Sequence, residues 1–126
     1  MAVLDASAVL ALVHDEPGAD LVARALAGSM LSTVNLAEVV GKLVDAGLEA
    51  VRLAPLLVAA GVTVEPLTQE DAELAGALRG LQGGRQLSLG DRCCLALALR
   101  SEPAIVLTAD RAWADLDLSL RVDLIR

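Results

Sequence analysis

The sequence contains no phenylalanine and no tyrosine, and Trp113 is its only aromatic residue. A core without rings has to be filled by Leu, Val and Ala, which suits closely packed helices on a Val-rich sheet. The same lack excludes a Phe/Tyr platform for stacking nucleic-acid bases. His14 is the only histidine, so a histidine-rich zinc site cannot be built, and any His-dependent triad has to use His14 itself. Cys93 and Cys94 are the only cysteines. As neighbours in an apolar helix they point in different directions, cannot easily bridge, and read as packing residues. No apolar run approaches the roughly 20 residues of a bilayer span. The start lacks a basic n-region and has Asp5 within its apolar stretch, so no signal peptide is expected and a cytoplasmic soluble protein is.

Positive charge is also scarce. Ten Lys+Arg stand against seventeen Asp+Glu, a formal net charge of −7, and Lys42 is the sole lysine. That balance argues against gripping nucleic acid by bulk electrostatics. It leaves open an enzyme whose acidic groups converge on metal ions, because bound cations invert the local charge. The nine arginines are the better residues for bidentate phosphate contacts.

What is present is apolar patterning: 56% of the 126 residues are hydrophobic, enough for one domain, residues 1–126, with a sizeable core. Val3-Leu4 is a short buried strand that delivers Asp5 to its C-terminal end. A helix follows from Ser7 to about Val13, then a second over Ala19 to Ala27 with Gly28 as its stop. Met30 to Thr33 reads as the second strand. Asn35 caps or opens a helix over Leu36 to Ala46, whose apolar positions recur at helical spacing. A further helix is expected from about Glu49 to Ala60, with Pro55 kinking or delaying it, and Val62 to Glu65 reads as the third strand. Thr68 with Asp71 has the pattern of a helix start, and the helix runs to about Leu78. Gly80 to Gly84 reads as a flexible loop flanked by Arg79 and Arg85. Ser88 caps a helix over Leu89 to Arg100 that is apolar nearly all round from Cys93, as in a buried helix. Ala104 to Leu107 is a fourth strand, a short helical stretch carries Trp113, and Arg121 to Leu124 reads as a last edge strand. Strands alternating with helices imply a three-layer αβα fold around a mainly parallel sheet of four to five strands.

In open sheets of this kind ligands bind beyond the carboxyl ends of the strands. Two strands end in an acid there, Val3-Leu4-Asp5 and Val106-Leu107-Thr108-Ala109-Asp110. Taken alone, Asp5 is as well read as a helix cap. Asp91 shares its helical face with Cys94, Leu95 and Ala98, where a carboxylate needs a partner or a metal. The alternatives are interaction with its own helix N-terminus or an ion pair with Arg92. Glu38 falls opposite the apolar stripe of its helix, so periodicity makes it a surface residue, in reach of Lys42 at i,i+4.

Four blocks together resemble the PIN-domain ribonucleases, and within them the VapC-type toxins of VapBC toxin–antitoxin pairs. They are Val3-Leu4-Asp5-Ala6-Ser7, Ser32-Thr33-Val34-Asn35-Leu36-Ala37-Glu38-Val39, Leu87-Ser88-Leu89-Gly90-Asp91-Arg92 and Val106-Leu107-Thr108-Ala109-Asp110-Arg111. They fall in family order and spacing across almost the whole chain. The resemblance implies a PIN-like fold and an acidic cluster of Asp5, Glu38, Asp91 and Asp110 holding Mg²⁺ or Mn²⁺ for endonucleolytic cleavage of RNA. It implies Ser7 and Thr108 beside the ligands, where their alternative roles are helix cap and strand-end hydroxyl. Arg92 and Arg111 follow two of the acids and either meet substrate phosphates, neutralise the cluster or pair on the surface. The resemblance further implies a cognate antitoxin, a homodimer, and DNA contact only through the antitoxin. The helices Ala19 to Ala27 and Leu36 to Ala46 are candidates for the dimer face.

Two other readings compete. A phosphoacceptor receiver domain needs an acidic pair after the first strand, an acceptor Asp after the third and a late Lys. Here Asp5 has no acidic neighbour, the third strand ends in Glu65-Pro66, and no lysine follows Lys42. A PIN-like module that only binds protein is the second, and the presence of all four acids argues against it.

Overall fold

The computed structural model describes residues 1–101 and 104–126. Its centre is β1 (Ala2–Leu4), which is flanked by β2 (Met30–Ser32) and β4 (Ile105–Thr108), with β3 (Thr63–Glu65) and β5 (Arg121–Leu124) outside them. All pairings are parallel, in the order β3-β2-β1-β4-β5. The inner strands are apolar on both faces, as a strand covered on both sides must be. The outer strands carry Thr63, Glu65, Arg121 and Asp123, which suits edges that meet water.

Register explains how the layers form. Val3 lies opposite Met30 and Val106, while Leu4 lies opposite Leu31 and Leu107. Side chains alternate along a strand, so the first trio faces one side and the second the other. The Leu face is covered by Ala8 and Val9 of α1 (Ala6–Val13), Val22 of α2 (Ala19–Ala25), Val39 and Leu43 of α3 (Thr33–Asp45), and Leu53 and Leu57 of α4 (Leu53–Ala59). The Val face is covered by Cys94, Leu95, Leu97 and Ala98 of α6 (Leu89–Arg100), with Leu78 and Trp113 beside them. Outside α6 lies α5 (Gln69–Ala77), through Ala75 against Cys93 and Ala96. The predicted three-layer αβα architecture is observed, and α6 is buried nearly all round because it is sandwiched between the sheet and α5.

Two boundaries differ from expectation. Helix α3 begins at Thr33, three residues before Leu36, and Ser32 is its cap, its Oγ accepting from Val34 N at 3.2 Å. Asn35 is therefore not a cap. It lies inside the first turn and is buried. The β-branched Thr33 and Val34 disguised the start, because they read equally well as strand. Helix α4 begins only at Leu53, which leaves Pro55 in its first turn, where a missing N–H costs nothing. The Gly80–Gly84 segment joins two short 3-10 turns, Leu78–Gly80 and Gly84–Gln86. Gly84 is buried against the Leu78 carbonyl, and a Cβ there would run into that oxygen.

From β1 the chain builds outward through β2 and β3, then crosses back to β4 on the other side of β1. The carboxyl ends of β1 and β4 thus border the switch in strand order, where a crevice opens in folds of this class.

Candidate active site

Asp5 follows β1 directly and caps α1. Its Oδ1 accepts from Ala8 N at 2.8 Å and from Ser7 Oγ at 2.6 Å, and its Oδ2 accepts from Thr108 Oγ1 at 2.5 Å. Both hydroxyls accept in turn from backbone, Ser7 Oγ from Ala109 N at 2.9 Å and Thr108 Oγ1 from Asp110 N at 3.0 Å. Each hydroxyl proton is thereby aimed at the carboxylate, which is the pattern that holds an ionised Asp. Asp5 is only 4% exposed. Burial pushes its pKa up, the bonds from Ser7, Thr108 and Ala8 pull it down, and the Asp91 charge pushes it up again, leaving it above the ordinary 3.8.

Asp91 sits at the third position of α6, half-buried, in a capping box with Ser88. Its Oδ2 accepts from Ser88 N at 2.9 Å, and its own N–H donates to Ser88 Oγ at 3.1 Å. The helix N-terminus therefore holds one carboxylate oxygen. The alternative ion pair with Arg92 is not formed. Arg92 is buried, with Nη1 donating to Ala75 O at 2.8 Å, and its Nε has no partner among the described residues. Arg92 ties α6 to α5 and is not placed to meet a substrate, because it points into the layer behind the site.

Glu38 is on the exposed side of α3, as periodicity requires, yet it is not a free surface residue. Asn35 Nδ2 donates to Glu38 Oε1 at 2.8 Å and to Gly90 O at 3.0 Å. Glu38 lies so close to Gly90 that a Cβ there would overlap its carboxylate. Its predicted neighbour Lys42 makes no ion pair with it among the described residues.

One buried thiol reports how these groups converge. Burial pushes Cys94 well above its ordinary pKa, and the negative charges of Asp5, Asp91 and Glu38 push it further. Glu38 lies against Gly90, the residue before Asp91, so these two carboxylates share the start of α6, and the Asp91 charge reaches Asp5. Asp110 is not one of that trio. It is exposed, caps the 3-10 turn Arg111–Asp115 through Oδ1 accepting from Ala112 N at 3.0 Å, and lines a cavity of about 360 Å³ with Gln82, Gln86, Asp115 and Asp117. It is joined to Asp5 through Thr108, whose hydroxyl both contact. Arg111 beside it is exposed.

The ion pairs among the described residues join Arg100 to Glu65 and Asp71, and Arg121 to Asp123. None of the four acids has a basic partner there, so no ion pair among the described residues offsets the charge of Asp5, Asp91 and Glu38. Oxygen-only donors around uncompensated charge fit a hard divalent cation, which takes carboxylates and keeps several waters. No three acidic, His or Cys side chains of the described residues close into a finished coordination shell. Sequence reasoning missed Asn35 and Gly90. A glycine in the first turn of an otherwise apolar helix was the available signal, since such a glycine has a packing reason.

Comparison with known proteins places the fold. A family model described as the PIN domain matches residues 2–118. Among curated proteins no sequence matches. A toxin–antitoxin complex from Klebsiella pneumoniae contains a chain of similar structure, with TM-score 0.77 and 19% identity, covering 100% of this chain and 98% of that one. VapBC2 from Rickettsia felis, bound to a DNA fragment from its promoter, contains another, with TM-score 0.70 and 14% identity, covering 98% of this chain and 97% of that one. At these identities the likeness is one of fold.

Proposed function

Since the chain belongs to the PIN-domain family, we propose that it is a divalent-metal-dependent endoribonuclease and the toxin of a type II toxin–antitoxin pair. The observation that carries this reading is the placement of the Glu38 carboxylate against Gly90, next to Asp91 at the start of α6, with Asp5 buried at the carboxyl end of β1 and none of the three in an ion pair among the described residues. Asp5, Asp91 and Glu38 would hold Mg²⁺ or Mn²⁺, with Asp110 at the outer margin. When bound, such an ion supplies charge neutralisation and an activated water for attack at phosphorus. The chain does the positioning. Ser7 and Thr108 lock both oxygens of Asp5, Ser88 locks one oxygen of Asp91, and Asn35 locks one oxygen of Glu38. Arg111 stands exposed next to Asp110 and is the residue to receive a substrate phosphate. Without an aromatic platform, RNA is held by its backbone and shape.

By the same reading the partners are an RNA substrate, a cognate antitoxin and a second copy of the chain. DNA is reached only through the antitoxin. The cytoplasm is the compartment in which these meet. No helix of the described residues is long and apolar enough to cross a membrane. Asp5→Asn and Asp91→Asn are each expected to reduce Mg²⁺-dependent RNA cleavage to background while circular dichroism stays that of the wild type. Equal cleavage in EDTA, or by either variant, refutes the assignment. The competing reading is a PIN-like interaction module with little or no nuclease activity. Calorimetric titration with Mn²⁺ separates the two, since the module gives no specific heat.

A further inference from the structure

Glu38 poses a physical problem. It lies on the exposed side of α3, where a glutamate samples many rotamers and pays entropy to be held in one. A carboxylate that acts with Asp5 and Asp91 has to be fixed relative to a different helix. The structure supplies one side chain that does this. Asn35 is 1% exposed, and its Nδ2 bridges Glu38 Oε1 at 2.8 Å and Gly90 O at 3.0 Å, across 55 positions of sequence. Both partners are acceptors, so the amide orientation is determined by the network. Asn35 Oδ1 is left buried without a partner among the described residues. Such an orphan is costly, and the amide keeps this orientation because both donors are taken up by Glu38 and Gly90. Gly90 completes the device, because any Cβ at that position would occupy the place of the Glu38 carboxylate.

We infer that Asn35 is a positioning residue that clamps the Glu38 carboxylate to the first turn of α6, and that Gly90 is the vacancy in which that carboxylate lies. The clamp keeps Glu38 at a fixed distance from Asp91, the residue after Gly90, and leaves Oε2 free to face the site. Its consequence for metal rests on the nuclease reading above. The bridge itself does not.

Two measurements test it. In metal-free protein, side-chain ¹⁵N spectra should show the Asn35 NH₂ protons protected from solvent exchange and shifted by Glu38→Gln. Rapid exchange and insensitivity to Glu38→Gln overturn the clamp. In calorimetry, Asn35→Ala should weaken Mn²⁺ binding about tenfold or more, the usual effect of removing a group that orients a ligand. In a Glu38→Gln background the same substitution should cost less than about twofold, because a residue acting through Glu38 has nothing left to position. An equal loss in both backgrounds, or no loss in either, overturns the inference. Gly90→Ala guards against a variant that merely unfolds, since Ala favours a helix more than Gly does. It should keep or raise the melting temperature while weakening Mn²⁺ binding, and undiminished affinity removes Gly90 from the device. If the wild-type chain gives no Mn²⁺ heat, the metal reading of the site falls, and the NMR measurement alone decides the clamp.

Discussion

At Asp5 the modest role and the proposed one coincide. The residue caps α1 and is also the most deeply buried carboxylate of the site, so the cap fixes the rotamer that the site needs. Ser7→Ala and Thr108→Val each remove one donor to it. Each is expected to weaken Mn²⁺ binding and RNA cleavage by about 10- to 100-fold, measured by calorimetry and a cleavage assay. Burial outweighs those donors and, with the Asp91 charge, raises the Asp5 pKa above 3.8. The folded metal-free protein therefore binds this proton more tightly than the unfolded chain. Its contribution favours the fold at pH values below 3.8 and is lost as pH rises through the elevated folded value. Thermal melts in EDTA should show this acid-side gain in the wild type and its disappearance in Asp5→Asn. Asp5 and Asp110 were legible in the sequence because an acid after an apolar strand lands at the sheet's carboxyl edge. Glu38 was not, since periodicity alone leaves it facing water, and only the resemblance recruited it. Asn35, whose amide bonds both Glu38 and Gly90, reads from the sequence only as a residue that caps or opens its helix.

Among the elements, the α5–α6 pair has its own acid with the opposite behaviour. Asp71 closes a capping box with Thr68 at the start of α5 and accepts from Arg100 Nε at 2.7 Å at the end of α6. Burial raises its pKa, but the Arg100 bond, the Thr68 bonds and the Arg100 charge together outweigh that and hold it below 3.8. Stability from Asp71 is thus present above pH 3.8 and is lost as pH falls through the lowered folded value. Asp71→Ala is expected to cost about 2 kcal/mol in urea denaturation at neutral pH, from a lost cap and a lost charge-assisted bond. It should also flatten the acid limb of the stability profile. Elements with strong local signals were the readable ones. Thr68 with Asp71 and Ser88 before α6 announce their helices, and the buried period of α6 announces its place in the middle. The start of α3 was hidden because strand and helix share a boundary with no linker. The delay of α4 to Leu53 was foreseen only as one of two effects of Pro55.

For the molecule as a whole, a site with uncompensated charge makes stability depend on what binds there. Mn²⁺ at 100 times its dissociation constant should stabilise the fold by roughly 2.7 kcal/mol. Scanning calorimetry should show the resulting rise in melting temperature in the wild type and none in Asp5→Asn. Val44, Leu48, Val51 and Leu56 are exposed, and Leu48 and Leu56 line, with Val13, Leu43 and Leu53, a cavity of about 430 Å³. Apolar exposure on that scale is a usual mark of a binding face. Gel filtration of the isolated chain is expected to return a dimer mass, and a monomer at every working concentration counts against the homodimer. The strand order itself was only partly legible, since sequence patterning shows that strands alternate with helices but not which strands are neighbours. That order has one further consequence. The central strand is β1, and its partner β4 follows about a hundred residues later, bringing the Thr108 hydroxyl that closes on Asp5. Until β4 pairs with β1, one oxygen of Asp5 has no donor, so the frame of this carboxylate closes only as the fold itself does.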